Sequence, residues 1–372
     1  RNCDWSSDVC SSDLPLNLVA GVVERRQTLP ILSNVLIALE GSRLSLTGTD
    51  LEVELVGRLD IEAPGVDGEV TVPARKLVDI CKSLPEGSNI EFSVEAGKAT
   101  VKAGRSRFTL STLPAADFPT VEASAGDISL DMQQSLMKQL IDGTAFAMAQ
   151  QDVRYYLNGL YFEVLGGRLR VVATDGHRLA LATAPDRVEA ADLGVIIPRK
   201  GVLELSRLLE GAAPISLSIG TNHIRANTDQ FTFTSKLVDG KFPDYERVIP
   251  KNPDKLVVGD RAELKQAFTR TAILSNEKYR GVRLRLSQNN LDITANNPEQ
   301  EQAEEVVAVE YTGAEMEIGF NVSYLLDVLS VLNQTQVRLC LSDEASSALL
   351  EHAQQPADQE PERLYVVMPM RL

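Results

Sequence analysis

The chain has 372 residues, of which 44% are hydrophobic, and carries a formal net charge of −15. Because its longest apolar runs are only of strand length, we expect neither a membrane-spanning helix nor a secretory leader, and no membrane partner. The acidity also disfavours a simple groove binder for nucleic acid, since such proteins depend on many contacts from Lys and Arg to phosphate.

The first 14 residues differ from the rest of the chain. They show neither helical nor strand periodicity, and they contain the only Trp and two of the four Cys residues. We interpret residues 1–14 as a non-native leader that resembles translated adapter sequence; the alternative is a genuine disordered tail. Under either interpretation, we expect the first structural unit to have lost its opening strand.

A repeat with a period of about 124 residues organises the remainder of the chain. The recurring phrases are Arg75–Gly87, which returns as Arg199–Gly211 and more weakly as Ser323–Leu332; Leu44–Asp50, which returns as Leu169–Asp175 and Leu291–Asn297; and Ser111–Pro119, which returns as Ser235–Pro243. Solenoid repeats are only about 20–50 residues long. Units of the observed length are therefore predicted to be domains, each with its own core.

Each repeat combines short strands with two helices. Alternating polar and apolar residues predict antiparallel strands at 43–47, 52–56, 167–172 and 283–287. Apolar residues at helical spacing predict helices near 16–23, 77–84, 136–141, 202–208, 264–271 and 325–332. The predicted fold class is α+β, with three copies of a unit in which two helices are backed by antiparallel sheet.

Composition also predicts the domain boundaries. The segment 120–127 is rich in small and acidic residues, and the segment 251–255 contains Asn, Pro and Asp. After the leader at 1–14, we therefore expect domains at 15–122, 130–251 and 255–372.

The predicted helices carry slightly more basic than acidic residues, although the chain as a whole is strongly acidic. A charged helix face is usually only solvated. Because the same sign recurs in equivalent helices, the alternative is a positively charged wall that these helices share and that faces DNA.

Long strings of residues, rather than one short motif, carry a family resemblance. The strings are Thr28–Asn34, Gln151–Gly159, Ala173–Leu179, Ser275–Gly281, Asn296–Glu301 and Tyr365–Leu372. Together they resemble the bacterial DNA polymerase III beta subunit, the family of replication sliding clamps, from about Pro15 to Leu372. The resemblance implies a head-to-tail homodimer whose six similar domains close into a ring, with helices lining the hole and sheets forming the outer wall.

A ring of this kind retains duplex DNA by topology, so weak contacts that are independent of base sequence suffice. By resemblance, the candidate DNA contacts are Arg26, Arg75, Gln151, Tyr155, Tyr156, Arg199 and Lys200. For Tyr155 and Tyr156, packing in the core is the alternative interpretation.

The resemblance also implies an interface between the first domain of one copy and the third domain of another. Its apolar members are Phe108 and Leu110, expected against Ile273 and Leu274. Its charged members are Lys76, Arg105 and Arg107, expected against Glu299, Glu301, Glu304 and Glu305. Apolar contacts are expected to supply affinity, while the opposite charges guide partner choice and register.

A third implied site is an apolar pocket for partner peptides, between the second and third domains. Its candidate residues are Leu157, Thr174, Gly176, His177, Arg178, Leu179, Pro243, Arg247, Val248, Asn321, Tyr324, Ser346, Val366, Val367, Met368, Pro369, Met370, Arg371 and Leu372. Flexible Met and Leu side chains suit a surface that binds varied short motifs. Without the resemblance, Val366–Met370 would be interpreted as a final buried strand.

Two other functions are compatible with parts of the sequence. The string Thr174–Arg178 places a carboxylate, an imidazole and a guanidinium together, as a hydrolase or phosphotransferase would, but polar residues at a turn are the simpler interpretation. A peptide-binding scaffold without DNA is the second alternative. We expect no catalytic residue, metal or cofactor, and the single thiols Cys81 and Cys340 predict neither disulfides nor a zinc cluster and favour the cytoplasm.

The sliding-clamp interpretation defines the expected partners. They are double-stranded DNA, a second copy of the chain, the catalytic subunit of the replicative DNA polymerase, an ATP-driven clamp loader, and other DNA polymerases and repair proteins that carry short clamp-binding motifs. The chain is thus expected to act in DNA replication within a DNA-directed DNA polymerase, a nucleotidyltransferase, without forming phosphodiester bonds itself.

Overall fold

The structure is a computed structural model that describes residues 5–7, 15–23, 29–61, 65–85, 87–121, 128–354 and 360–371. In this part of the chain, every repeat follows one order: strand, helix, four strands, helix, three strands. Neighbouring strands in the sheets pair antiparallel, for example β2–β3 and β18–β19 as bounded below. The predicted α+β class is confirmed.

The bounds of the elements are as follows. The first repeat contains β1 (Trp5–Ser7), α1 (Pro15–Ala20), β2 (Asn34–Glu40), β3 (Arg43–Thr49), β4 (Val53–Asp60), β5 (Gly68–Pro73), α2 (Ala74–Ser83), β6 (Ile90–Glu95), β7 (Lys98–Ala103) and β8 (Ser106–Ser111). The second contains β9 (Ile128–Gln133), α3 (Gln134–Asp142), β10 (Gly159–Leu165), β11 (Arg168–Thr174), β12 (Arg178–Arg187), β13 (Leu193–Pro198), α4 (Arg199–Leu208), β14 (Pro214–Ile219), β15 (His223–Asn227) and β16 (Phe231–Lys236). The third contains β17 (Lys255–Asp260), α5 (Arg261–Ala272), β18 (Gly281–Ser287), β19 (Asn290–Asn296), β20 (Gln302–Ala308), β21 (Met316–Asn321), α6 (Val322–Val331), β22 (Gln336–Leu341), β23 (Ala348–His352) and β24 (Glu362–Val367).

The chain forms two compact units that do not coincide with the three repeats. The first unit comprises residues 1–134 and 203–237, and the second comprises residues 135–202 and 238–372. The first contains an eight-stranded sheet in the order β5-β2-β3-β4-β16-β15-β14-β9 and a four-stranded sheet in the order β1-β6-β7-β8. The second contains an eight-stranded sheet in the order β13-β10-β11-β12-β24-β23-β22-β17 and a four-stranded sheet in the order β20-β19-β18-β21.

Each eight-stranded sheet joins strands of two successive repeats. In the first unit β4 pairs with β16, and in the second unit β12 pairs with β24. The middle repeat therefore contributes β14–β16 to one unit and β10–β12 to the other. This is why contacts divide the chain into two units although its sequence repeats three times.

The strands form where one face of the sheet can be buried. In β18 the side chains of Val282, Leu284 and Leu286 are completely buried, whereas Arg283 and Arg285 between them are exposed. Such alternation follows from the two-residue period of a strand. The same alternation in the sequence allowed β3, β4, β11 and β18 to be predicted.

Side chains at the helix starts help to fix where the helices of the third repeat begin. The Asp260 carboxylate accepts a hydrogen bond from the backbone N–H of Glu263, and the Asn321 side chain accepts one from Ser323, both at 2.9 Å. These N-caps satisfy donors that have no partner inside the helix. The first predicted helix, at 16–23, is shorter than expected, because α1 ends at Ala20, immediately before Gly21.

The first residues contain a short strand that periodicity did not predict. Trp5–Ser7 form β1, which pairs with β6 so that Trp5 lies opposite Phe92. In the sheet orders, β1 takes the place that β9 and β17 take in the other repeats, which is the place of the opening strand expected to be lost. Edge pairing uses backbone groups, so it does not require the side-chain alternation that predicts half-buried strands.

We predict that replacing the buried carboxyl group of Glu54 stabilises the chain at neutral pH. Burial raises the pKa of Glu54, although its carboxylate accepts a hydrogen bond from the Val121 backbone at 2.8 Å. A carboxyl group whose pKa is higher in the folded state loses stability as the pH rises from its unfolded to its folded pKa. Glu54→Gln should therefore increase the free energy of unfolding at about pH 7 and leave it nearly unchanged at about pH 4.

Urea denaturation at both pH values tests this expectation. The matched control is Glu52→Gln, because Glu52 lies on the same segment but is exposed. If Glu54→Gln gives no gain at neutral pH beyond that of Glu52→Gln, burial of the carboxylate does not limit stability.

Candidate functional site

A cavity of about 280 Å³ lies in the second compact unit, where β12 pairs with β24. We call it the junction pocket. It is lined by Arg154, Tyr156, Leu157, Thr174, Gly176, Arg178, Leu179, Pro243, Asp244, Tyr245, Val248, Val366 and Met368. These residues come from four segments that are remote in sequence, within 154–157, 174–179, 243–248 and 366–368, and the pairing of β12 with β24 brings two of them together.

The floor of the junction pocket is apolar. Leu157, Leu179 and Val366 are almost completely buried and belong to one core cluster with Phe242. Cys340 lies in the same cluster, and burial raises the pKa of its thiol to about 11. The thiol therefore stays protonated at neutral pH and serves as a small apolar side chain. Such a floor suits an apolar guest side chain.

The turn between β11 and β12 shapes one wall of the pocket. The Thr174 hydroxyl donates to the carbonyl of Arg178 at 2.7 Å and accepts from the backbone N–H of Gly176 at 3.1 Å. The Asp175 carboxylate accepts from the backbone N–H groups of His177 and Arg178, at 2.9 and 3.1 Å. These polar side chains hold a turn together, and this arrangement supports the structural rather than the catalytic interpretation of the string.

Arg178 is held from several sides. Its guanidinium forms ion pairs with Asp175, at 3.1 Å, and with Asp327 of α6. It also donates to the carbonyl of Phe146 at 2.9 Å and lies 4.6 Å from the centre of the Tyr324 ring. Cation–π and charged contacts of this kind fix a side chain in one orientation. Arg178 therefore ties the pocket wall to α6 and to the segment that follows α3.

Arg154 is a pocket residue that was not singled out from the sequence. Its guanidinium binds the Asp152 carboxylate at 2.9 Å and donates to the carbonyl of Asp175 at 3.1 Å. It lies so close to Gly176 that a Cβ atom there would be 2.9 Å from its Nη1. The sequence did contain an indication of its role, because Arg154 lies in the string Gln151–Gly159 that carries the family resemblance.

Tyr245 was also missed, and it anchors the opposite wall. Its hydroxyl donates to Glu163 at 2.6 Å and accepts from Arg170 at 3.1 Å, while Arg170 also binds Glu246. Burial raises the pKa of Tyr245, and the nearby Glu163 carboxylate raises it further. Its partners are 75 and 82 residues away in sequence, so no local pattern could have indicated the network.

The structure brings together about half of the predicted pocket residues. Leu157, Thr174, Gly176, Arg178, Leu179, Pro243, Val248, Val366 and Met368 line the junction pocket. His177 stacks on Tyr324 beside Arg178, Asn321 caps α6, and Ser346 donates to Asp343. Arg247 pairs with Asp244, Val367 is completely buried, and Pro369, Met370 and Arg371 line other clefts of the same unit. Leu372 lies outside the described residues.

The predicted DNA contacts divide between the two units. In the second unit Gln151 has a left-handed backbone with φ of 56°, Tyr155 is exposed, and the Arg199 side chain donates to the carbonyl of Met148 at 3.4 Å. Tyr156 lines the junction pocket, and Lys200 follows Arg199 at the start of α4. Arg75 is exposed at the start of α2 in the first unit, and Arg26 lies outside the described residues.

Basic residues at the starts of α2 and α4 are unfavourable for the helices themselves. Arg75 and Lys76 occupy the first turn of α2, and Arg199 and Lys200 that of α4. The amino end of a helix carries a partial positive charge, so cations there cost about 0.3–1 kcal/mol. Helix stability therefore does not explain these residues, which supports a role in binding an anion.

The residues of the predicted interface lie on two sheet edges. Arg105 and Arg107 are exposed, Phe108 is half-buried and Leu110 is buried, all on or next to edge strand β8. Glu304 and Glu305 lie on edge strand β20.

Of the remaining members, Lys76 lies in the first turn of α2, and the others lie close to β20 in the sequence or just after α5. Ile273 is 74% exposed, Leu274 is half-buried, and Glu299 and Glu301 are exposed in the preceding loop. Glu305 forms an ion pair with Arg270 at 2.5 Å, and this hydrogen bond lowers the pKa of Glu305. Within the described residues, no strand pairs with the outer edge of β8 or of β20.

In the part of the chain that the structure describes, no group of three or more His, Cys, Asp or Glu side chains is placed to hold a metal ion. In the same residues, no helix combines the length and the apolar character needed to cross a membrane.

Three family models match successive parts of the chain. They describe the N-terminal, central and C-terminal domains of the DNA polymerase III beta subunit and match residues 14–122, 131–244 and 246–371. Together they cover nearly the whole chain and correspond to its three repeats.

Curated relatives and solved structures agree with these matches. The beta sliding clamps of Pseudomonas putida and Escherichia coli are 63% and 55% identical to the chain over 360 and 359 residues, which is 96% of the chain and 97% of each relative. A crystal structure of the Pseudomonas aeruginosa sliding clamp bound to griselimycin is 61% identical, with a TM-score of 0.95 and full coverage of both chains. A sliding clamp from Caulobacter crescentus is 38% identical, with a TM-score of 0.90 and the same coverage.

We predict that Gly176→Ala destabilises the chain more than its backbone conformation alone would. Gly176 has φ of +88°, and a Cβ atom would also press on Arg154 at 2.9 Å. Gly166 has φ of +56°, but a Cβ atom there meets nothing within 4 Å, so Gly166→Ala is the matched control. The backbone term should cost about 1 kcal/mol in both variants, and Gly176→Ala should lose more because Arg154 must move. Urea denaturation gives the difference, and equal losses would show that Arg154 does not constrain the turn.

Proposed function

The chain belongs to the DNA polymerase III beta subunit family, the beta sliding clamps, and from this premise we propose that it encircles duplex DNA as a homodimeric ring. In this role it is a non-catalytic processivity factor that tethers the replicative polymerase to DNA. The observation that carries the proposal is the pair of matched open sheet edges at β8 and β20. We place its action in the cytoplasm.

The open edges are the two halves of a junction that the chain forms twice within itself. In the sheet orders β8 takes the place of β16 and β24, and β20 takes the place of β4 and β12. Pairing β20 of one copy with β8 of another would make an eight-stranded sheet like the other two. Because each copy carries one edge of each kind, two copies form two identical junctions and close a ring.

The two internal junctions have the same register, and we apply this register to the proposed interface. Phe231 lies opposite Gly57 in the β16–β4 pair, and Arg363 lies opposite Ala182 in the β24–β12 pair. By the strand pairings, Ser106 takes the position of Phe231 and Arg363, and Glu305 takes that of Gly57 and Ala182, so that Arg107 comes opposite Glu304. The transferred register therefore places a guanidinium directly opposite a carboxylate across the two copies, which favours the correct partner and register.

The ring accounts for DNA binding by a strongly acidic chain. A closed ring retains DNA without strong attraction, and screening over about 8–10 Å allows a local positive surface to coexist with distant acidic ones. We propose that Arg75, Gln151, Tyr155, Arg199 and Lys200 provide weak contacts to phosphate that permit sliding, together with Arg26 and Tyr156. These weak contacts would guide the duplex through the ring without fixing its position.

The junction pocket is proposed to hold the polymerase. Its apolar floor at Leu157, Leu179 and Val366 would accept an apolar side chain of a short linear motif, and the polar groups at its rim would orient the peptide backbone. Tethering raises the effective concentration of polymerase at the primer end, so release seldom interrupts synthesis. We propose that an ATP-driven clamp loader and other polymerases and repair proteins use the same pocket in turn.

We predict that reversing one charge of the transferred pair weakens the dimer and that reversing both restores it. Arg107→Glu and Glu304→Arg should each shift the chain towards monomer at micromolar concentration, because like charges then lie opposite each other. The combined variant should recover most of the dimer. Sedimentation velocity measures the distribution, and a combined variant no better than the single ones would contradict the register.

We also predict that retention on DNA depends on topology. The chain, loaded by its clamp loader onto a nicked circular plasmid, should remain bound through gel filtration at moderate salt. Cutting the plasmid once should release it, because a ring slides off free ends whereas a surface-bound protein stays. Equal retention on circular and linear DNA would refute encirclement and would favour ordinary surface binding.

A further inference from the structure

The second and third repeats place equivalent residues in equivalent strands. Gly159 opens β10 and Gly281 opens β18. In the adjoining strand pairs Tyr161 lies opposite Val172, and Arg283 lies opposite Thr294. These pairings align the two repeats residue by residue.

This alignment superimposes the junction pocket on a second cleft. The structure has a cleft of about 610 Å³ in the third repeat, lined by Asn276, Tyr279, Gly281, Arg283, Thr294, Ala295, Asn296, Asn297, Pro298, Gln302, Met370 and Arg371. We call it the third-repeat cleft. The matched pairs, with the junction-pocket residue first, are Arg154 and Asn276, Leu157 and Tyr279, Thr174 and Asn296, Gly176 and Pro298, and Leu179 and Gln302. The cleft is thus the counterpart of the pocket on the next copy of the fold.

Fewer of the described residues lie over the third-repeat cleft than over the junction pocket. The backbone N–H of Val238 donates to Ile196 on the edge of β13, and that of Met370 donates to Gly319 at the same place on β21. After Val238 the chain continues across the sheet face to Phe242, whose ring stacks on Tyr161 with centres 4.7 Å apart. In the third repeat, the described residues after Met370 end at Arg371, so none of them covers the corresponding face.

The chemistry of the cleft differs from that of the pocket. Apolar Leu157 and Leu179 are replaced by Tyr279 and Gln302, and the place of Tyr161 is taken by Arg283. None of the lining residues is acidic and two are arginines, in a chain of net charge −15. Local positive charge on an acidic protein selects an anionic guest.

Arg283 is available to such a guest. Its guanidinium pairs with Glu317 at 3.1 Å, but both side chains are about half exposed. Exposed ion pairs contribute little to stability, so a second carboxylate can replace or share this one. Arginine binds carboxylates in a two-pronged geometry, which gives orientation as well as affinity. The exposed ring of Tyr279 and the side chain of Asn296 lie in the same cleft.

We propose that the third-repeat cleft is a second peptide-binding site, specific for an acidic peptide segment whose carboxylate binds Arg283. The inference goes beyond the proposed function, which uses only the junction pocket. The fold thus presents one apolar and one cationic cleft at equivalent places. A partner protein that carries both an apolar motif and an acidic segment could occupy both.

The test uses a fluorescein-labelled tetra-glutamate peptide, whose anisotropy is followed as the full chain is added at low salt. Arg283→Ala should weaken binding about tenfold or more, since a hydrogen-bonded charge contact is lost. The matched control is Arg285→Ala, because Arg285 also lies on β18 and pairs with a glutamate, Glu315 just before β21, at 3.3 Å, but does not line the cleft. This control should bind the probe with unchanged affinity.

Three outcomes would overturn the proposal. The first is an equal loss of probe affinity in the two arginine variants, and the second is binding of a tetra-glutamine peptide as tight as that of the tetra-glutamate probe. The third is displacement of the probe by inorganic phosphate at a lower concentration than by unlabelled tetra-glutamate. The first outcome would show that the loss of affinity reflects general surface charge, and the third would show that the cleft binds phosphate rather than a peptide carboxylate. Met368→Ala, which alters a partly exposed wall of the junction pocket, should leave probe binding unchanged. If it abolishes binding, the probe occupies the junction pocket and the second site does not exist.

Discussion

Antiparallel pairing between the edges of successive repeats is the constraint on which the rest of the structure depends. An unpaired strand edge exposes backbone donors and acceptors that must find partners in water or in another strand. The chain resolves this twice internally, by pairing β4 with β16 and β12 with β24. The junction pocket exists only because β24 brings Val366 beside Leu179, and the open edges of β8 and β20 give the proposed ring its means of closing.

The same fold carries an apolar surface in the second repeat and a cationic, polar surface in the third. At the junction pocket, buried leucines form an apolar floor, while Arg178 and Tyr245 hold the walls through ion pairs and hydrogen bonds to distant residues. At the equivalent place in the third repeat, Arg283 and Gln302 make the surface cationic and polar. Repetition conserves the backbone geometry, because strand pairing fixes it, and leaves the exposed side chains free to diverge.

The distribution of charge is consistent with a ring that retains DNA by topology. A net charge of −15 would oppose DNA binding by attraction, yet basic side chains recur at the starts of α2 and α4, where they are unfavourable for the helices. A closed ring needs only weak local attraction, since topology prevents escape. The acidic remainder of the surface then maintains solubility without weakening retention.

Local patterns in the sequence were sufficient to predict the repeats, the helices, the alternating strands such as β18 and the α+β class, because periodicity and recurrent phrases are local properties. The family resemblance supplied Leu157, Leu179 and Val366 as pocket residues. The sequence did not indicate β1, whose pairing depends on backbone groups, or Tyr245, whose partners Glu163 and Arg170 are far away in the chain. The folded structure was needed to reveal them, because each depends on contacts between segments that are far apart in the sequence.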